Sequence, residues 1–236
     1  MCGRFTLKTP ASSWVEQLFR GLPFLDTPDT PPRYNIAPTQ PILAVLQSSS
    51  GAPFSMTWLR WGLLPSWAED LAIGNRMINA RSETLAEKPS FRKAFRERRC
   101  LIIADGYYEW KKGTGKTKQP YWIHRPGNAP FVMAGLWEVN RRISSESPIF
   151  SGTIITTPAN ACTQEVHDRM PAIIFPSDIL RWLDPSSHDV EPLQSLLQPA
   201  PDDYFSLTPV STRVNSPMHE GPECLIPVSP TNESPS

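Results

Sequence analysis

Cys100-Leu101-Ile102-Ile103-Ala104-Asp105-Gly106-Tyr107-Tyr108-Glu109-Trp110 is the stretch on which the reading of the fold turns. Its first five residues are apolar and mostly branched, and they run into Asp-Gly. That pattern is a short buried strand ended by turn chemistry. Runs of the same kind recur downstream at residues 120–124, 130–136, 153–157, 172–175, 204–210 and 224–228. Upstream, residues 42–46 and 56–64 add two more. The helical patterns between them are short. Ser13 with Glu16 has the form of a capping box, followed by Trp14, Leu18 and Leu22 on one face with Val15 and Phe19 beside them. Ser90 is placed to cap a helix through Arg98, with Phe91 and Phe95 on its apolar side. Residues 177–183 and 191–197 read as two late helices, and 23–32 as an ordered, proline-rich loop.

Twenty-seven prolines against twelve glycines in 236 residues favour short elements and many ordered turns. There is no internal repeat and no clear linker. The expectation is one α+β domain over residues 2–228. It is mainly antiparallel sheet curved toward a barrel, with flanking short helices and a polar tail at 229–236.

Hydrophobic residues make up 39% and charged residues 19%, which suits a globular domain with a real core. The 23 basic and 23 acidic residues cancel. A neutral chain is a poor nonspecific polyanion binder, so any nucleic-acid contact must come from a local basic face. The four cysteines, Cys2, Cys100, Cys162 and Cys224, are far apart and lack C-x-x-C spacing. Neither a zinc site nor a disulfide framework follows from them. No signal sequence precedes Cys2 and no apolar run is long enough to span a bilayer. The expected setting is reducing and cytoplasmic, with no metal, no cofactor and no membrane contact.

Cys2 follows the initiator methionine. Removal of Met1 would leave a 1,2-aminothiol. Its amine can add to an aldehyde to give an imine, and its thiol can close on the same carbon to form a thiazolidine. The second step is intramolecular and gains the proximity advantage. An α-amine titrates near roughly 8, so it is usable near neutrality. Three further segments carry more polar and small residues than a core needs: Ile78-Asn79-Ala80-Arg81-Ser82-Glu83-Thr84, Ala104-Asp105-Gly106-Tyr107-Tyr108-Glu109-Trp110, and Val166-His167-Asp168-Arg169-Met170-Pro171. Each also admits a plain structural role: a cap with an ion pair, a strand-end carboxylate, a turn with a local Asp168–Arg169 pair.

Six ordered motifs together resemble the SOS response-associated peptidase (SRAP) family. They are Met1-Cys2-Gly3-Arg4-Phe5, Arg33-Tyr34-Asn35-Ile36-Ala37-Pro38, Trp61-Gly62-Leu63 with Pro65 and Trp67, and the three polar segments above. The late Val214-Asn215 pair also fits. The resemblance implies a protein that crosslinks to abasic sites in single-stranded DNA through a thiazolidine. On that basis Cys2 is the nucleophile and Glu109 the general acid/base that opens the sugar. His167 assists at the same carbon, and Asn79 orients the amine or a sugar oxygen. Arg4 and Arg81 hold flanking phosphates, with the amine and a Cys2 thiolate favoured by their charge. Trp67 and Trp110 stack on bases while Pro38 wedges the strand. A monomer is expected, nucleoid-associated when bound to DNA. Arg92 to Arg99 read as a solvated helix surface that can extend a basic face, and Trp182 as core.

Two other readings remain open at this level. An N-terminal cysteine with a carboxylate, an amide and a histidine also suits a peptidase or hydrolase, including one that acts on its own terminus. A non-covalent reader of single-stranded or modified DNA would keep the aromatic and arginine contacts and ignore Cys2. A zinc deaminase is disfavoured, because its H-x-E and P-C-x-x-C pattern is absent.

Overall fold

A computed structural model of the chain describes residues 2–26, 28, 30–113 and 118–229. The strands are β1 Arg4–Leu7, β2 Arg33–Ile36, β3 Pro41–Gln47, β4 Phe54–Trp61, β5 Asn79–Arg81, β6 Arg99–Ala104, β7 Gly106–Lys112, β8 Lys118–His124, β9 Phe131–Asn140, β10 Ile149–Pro158, β11 Arg169–Pro171 and β12 Ser206–Pro209. The α-helices are α1 Ala11–Leu18, α2 Arg92–Glu97, α3 Ala161–Gln164, α4 Ile179–Leu183 and α5 Val190–Gln194.

Five strands close into a barrel in the order β10-β4-β3-β6-β9, with β9 pairing back onto β10. The pairings are antiparallel except β4 with β10. Strand β6 shows why this closes: all six of its residues are buried, Arg99 through its hydrogen bonds and the continuous apolar run 100–104 by its composition. Strand β10 serves as a shared spine. Its start pairs with β4, its middle with β5 in parallel and its end with β11. The second layer is an antiparallel sheet in the order β12-β8-β7-β1-β2. Aromatic contacts join the layers. Phe5 of β1 meets Trp61 of β4 edge-on at 5.2 Å, and Phe205 meets both Tyr107 of β7 and Phe131 of β9. The expected single α+β domain of curved antiparallel sheet is the architecture found.

Several local expectations change. Helix α1 starts at Ala11 behind Pro10, so Ser13 lies inside its first turn, where its hydroxyl accepts from the Gln17 amide at 2.9 Å. Proline's fixed φ starts this helix in place of a capping box. Helix α2 likewise starts without a bond from Ser90. The strand sought at 172–175 lies just upstream at β11, and Ile173 keeps one bridge to Met133. Residues 222–225 form a 3-10 turn, leaving Pro227 as a single bridge to Val210. Strands β1, β2, β5 and β7 carry the polar motifs and gave no strand signal. Most of the polar tail, residues 230–236, lies outside the described residues.

Candidate active site

Cys2 is fully buried, two residues ahead of β1. Strand β1 runs between β7 and β2, with Arg4 opposite Tyr108 and Phe5 opposite Tyr107. Asp105, at the β6–β7 corner, anchors the far end of β1. It accepts from the Thr6 hydroxyl at 2.5 Å, from the Lys8 and Thr9 N–H groups at 2.7 and 2.8 Å, and from the Thr9 hydroxyl at 2.9 Å. The next residue must be glycine. A Cβ on Gly106 would stand 2.0 Å from Nε1 of Trp122, which also donates to the Thr6 hydroxyl. The Asp-Gly pair therefore both turns the chain and seats the amino-terminal strand.

Asn79 reaches the same place from the barrel. Strand β5 is placed by β10, and the carbonyl of Ile78 accepts from the Trp61 indole at 2.9 Å. The Asn79 amide donates to the Cys2 carbonyl at 2.8 Å. Among the described residues its buried Oδ1 has no hydrogen-bond partner, an arrangement that costs free energy unless an N–H or O–H is supplied.

Glu109 lies on β7 on the same face as Tyr107, since side chains alternate along a strand. It is 3% exposed. Burial pushes its carboxyl from the ordinary 4.5 up to about 7, and the Asp168 carboxylate adds to the rise. Burial also pushes the Cys2 thiol well above its usual value, and neighbouring Glu109 pushes it further. This corrects the expectation of a thiolate favoured by arginine. The Arg4 guanidinium points elsewhere, donating to Asn35 Oδ1 at 2.9 Å, Val214 O at 2.8 Å and Asn215 O at 3.2 Å. Cys2 is a neutral thiol beside a group able to take its proton.

His167 stands just before β11, half-buried. The Arg169 N–H donates to its Nδ1 at 3.0 Å, and Asp168 Oδ1 lies 2.9 Å from the same atom. The first contact needs a lone pair on Nδ1, which puts the proton of the neutral ring on Nε2. The second suits a proton on Nδ1, as in the imidazolium or the other neutral tautomer. Burial lowers the imidazole's pKa against the opposing pull of Asp168, so the neutral form is the one at neutral pH. Asp168 is felt by both His167 and Glu109, which links the β11 motif to the β7 motif. Arg169 does not pair with Asp168; its guanidinium is taken by Glu83. Arg81 is exposed and shares a face of β5 with Asn79, with buried Ala80 between them.

The remaining sequence candidates occupy other places. Trp110 alternates with Glu109 to the opposite face of β7. Its indole donates to Asn215 Oδ1 at 2.7 Å, so it and Arg4 meet the same residue. Trp67 is 52% exposed and lines an open cleft of about 320 Å³ with Ile73, Arg76 and Met77. Pro38 is half-buried and precedes Thr39, whose φ of 74° is unusual for a β-branched residue. The Thr39 N–H donates to Trp61 O at 2.9 Å, and Gln40 Oε1 accepts from Ala37 N. Such held strain often marks a functional loop, and sequence alone gives no signal for it. The basic helix surface shrinks at its end: Arg99 is 4% exposed, donates to Trp182 O and four other carbonyls, and is lowered to about 10 by burial. Trp182 itself is core. Among the described residues, no cluster of three or more His, Cys, Asp or Glu side chains is placed to hold a metal ion, and no helix is long and apolar enough to cross a membrane.

A small barrel docked on an antiparallel sheet, with a cysteine ahead of the sheet's inner strand facing an amide and a near-neutral carboxyl, defines a class of single-domain proteins built around a cysteine near the amino terminus. Residues 1–217 match the family model for SOS response associated peptidase (SRAP), and the chain belongs to that family. It is 44% identical over 225 residues to the abasic site processing protein YoqW of Bacillus subtilis, covering 95% of this chain and 99% of that one. It is 30% identical over 233 residues to the abasic site processing protein YedK of Escherichia coli, covering 97% and 100%. A crystal structure of a protein from Bacteroides thetaiotaomicron superposes with a TM-score of 0.81 at 25% identity, over 97% of this chain and all of that one.

Proposed function

We propose that this chain, once Met1 is removed, captures abasic sites in single-stranded DNA as a covalent thiazolidine and so shields the lesion. The observation that carries the reading is the grouping of Cys2, anchored through its carbonyl by Asn79 at 2.8 Å, with Glu109, whose carboxyl titrates at about 7. The names of the relatives, abasic site processing proteins, support the same substrate.

An abasic deoxyribose is mostly a closed hemiacetal. Glu109, poised between its two protonation states, protonates the ring oxygen and takes the anomeric proton in turn. The Cys2 α-amine adds to the C1′ aldehyde, and loss of one water gives the imine. The Asn79 Oδ1, without a partner among the described residues, accepts an N–H from this amine or an O–H from the carbinolamine. The thiol then adds to C1′, its proton passing to Glu109 and on to the nitrogen, which closes the ring. Because the thiol stays neutral until this step, it resists oxidation and unwanted alkylation beforehand. His167 assists at the same carbon and holds the sugar or its 3′ phosphate. Arg81, beside Asn79, takes a flanking phosphate, with Arg4 as a further cationic contact. Trp67 and Trp110 stack on bases and Pro38 wedges the strand. The protein acts as a monomer.

Mixing the trimmed protein with an oligonucleotide bearing one abasic site should give a band that survives a denaturing gel. Cys2→Ala and amino-terminal acetylation should each abolish it; an adduct in either case would overturn the reading. The family description also keeps a peptidase in view. Cys2→Ser separates the two, since a hydroxyl can support acyl transfer but not a stable thiazolidine.

A further inference from the structure

Tyr107 stands two residues before Glu109 on the same face of β7, and the chemistry above leaves it unused. Its register partner on β1 is Phe5, three residues after Cys2. Its ring is fully buried and packs on Phe205 at 5.6 Å, in the same core cluster as Cys2. Packing asks for no more than phenylalanine at such a position. The hydroxyl is the excess, and among the described residues it makes no hydrogen bond. A buried hydroxyl in that state costs free energy until it finds a partner.

Its surroundings indicate the partner. Burial pushes the Tyr107 phenol well above its ordinary value, and charge on Cys2, then on Glu109 and Cys162, pushes it further. The phenol therefore keeps its proton and has it to offer to a neighbouring anion. The Thr163 hydroxyl is also close, but it falls outside hydrogen-bonding geometry and gives its own proton to Asn160 Oδ1 at 2.7 Å. Closure of the thiazolidine is the step at which an anion arises, because the neutral Cys2 thiol must then lose its proton. The Cys2 Sγ donates to the Arg4 carbonyl at 3.8 Å, and a carbonyl cannot stabilise sulfur that is being deprotonated. The Arg4 guanidinium is given to Asn35, Val214 and Asn215, and the Asn79 amide to the Cys2 carbonyl.

We propose that Tyr107 is a further catalytic residue, whose O–H donates to Cys2 Sγ while the thiazolidine closes. This rests on the crosslinking reading of Cys2. As the S–C1′ bond forms, the C=N π pair passes to nitrogen, which takes up the proton that Glu109 received from the thiol. The phenol keeps its own proton throughout and stabilises the charge on sulfur in between. Imine formation engages the nitrogen alone and needs no such donor.

Tyr107→Phe in the trimmed full chain tests this step by step. With cyanoborohydride present, each imine is reduced to a secondary amine as it forms, so trapping on an abasic oligonucleotide reports the first step. That rate should stay within about twofold of wild type. Without reductant, the adduct that survives hydroxylamine reports ring closure, which should be about tenfold slower for loss of one donor to a charged atom. The melting temperature should not fall, because the hydroxyl removed bonds to nothing in the resting protein. Equal closure rates overturn the proposal. So does an equal loss in both steps, or a lower melting temperature, since each is the behaviour of a structural hydroxyl. The same rates measured with glycolaldehyde in place of DNA separate this proposal from the reading beneath it. If wild type closes on the small aldehyde but leaves abasic DNA unattached, the proposed function falls while the Tyr107→Phe comparison still decides the role of the phenol. A wild type that closes on neither overturns both.

Discussion

Glu109 is held at a cost that can be measured. A carboxyl whose pKa is raised from 4.5 to about 7 on folding contributes its full stability below the unfolded value and loses it as pH rises through the folded one. At roughly 1.4 kcal/mol per pH unit, the penalty at pH 8 is about 3 kcal/mol. Thermal melts should therefore show wild type losing stability between pH 4.5 and 7, while Glu109→Gln is flat across that window and more stable at pH 8. The same variant should lose the inflection near pH 7 in a crosslinking pH–rate profile. The two arginines named with the site should behave differently from each other. Arg81 is exposed, so Arg81→Ala should reduce the slope of log K against log salt by about 0.7 and leave the melting temperature unchanged. Arg4 gives three hydrogen bonds to Asn35, Val214 and Asn215, so Arg4→Ala should destabilise the fold by about 2 kcal/mol in urea titration. All four residues of the proposed chemistry were legible in the motifs. The neutral state of the Cys2 thiol was not, because burial is a property of the surroundings and outweighs the charge of a neighbour in sequence.

At the level of elements, β1 is short, and its attachment to the Asp105 corner decides where Cys2 lies. Asp105→Ala removes an acceptor shared by Thr6, Lys8 and Thr9 in a buried setting. A loss of about 3 kcal/mol is expected from denaturant unfolding, together with slower crosslinking as β1 loosens. The strands built on apolar runs, β3, β6, β8, β9 and β10, were readable as strands because burial on one or both faces writes itself into composition. Strands β1, β5 and β7 were not. Asn79 and Glu109 are at half-buried and buried positions where a plain strand would carry packing side chains, so their polar groups break the pattern. The helix starts at Pro10 and Phe91 were misread for a different reason: Ser13 and Ser90 had the right type but not the geometry, and a cap is a matter of geometry.

For the whole molecule, Phe205 is the joint between the two layers. It is 3% exposed and packs on Tyr107 at 5.6 Å, Phe131 at 5.2 Å and Tyr204 at 4.9 Å. Phe205→Ala should cost about 3–5 kcal/mol in equilibrium unfolding, with a single transition if sheet and barrel unfold together. By itself the sequence determined the class of fold and the family and supplied the candidate reactive side chains, since hydrophobic period, turn residues and ordered motifs are local and survive in one dimension. Only the tertiary structure decided which of those side chains meet. Asn79 and Cys2 are joined across the barrel–sheet junction, Arg169 chooses Glu83 over adjacent Asp168, and Trp110 turns away from Glu109. Contacts of that range depend on strand register and on the low dielectric of a closed interior, neither of which any stretch of residues specifies alone.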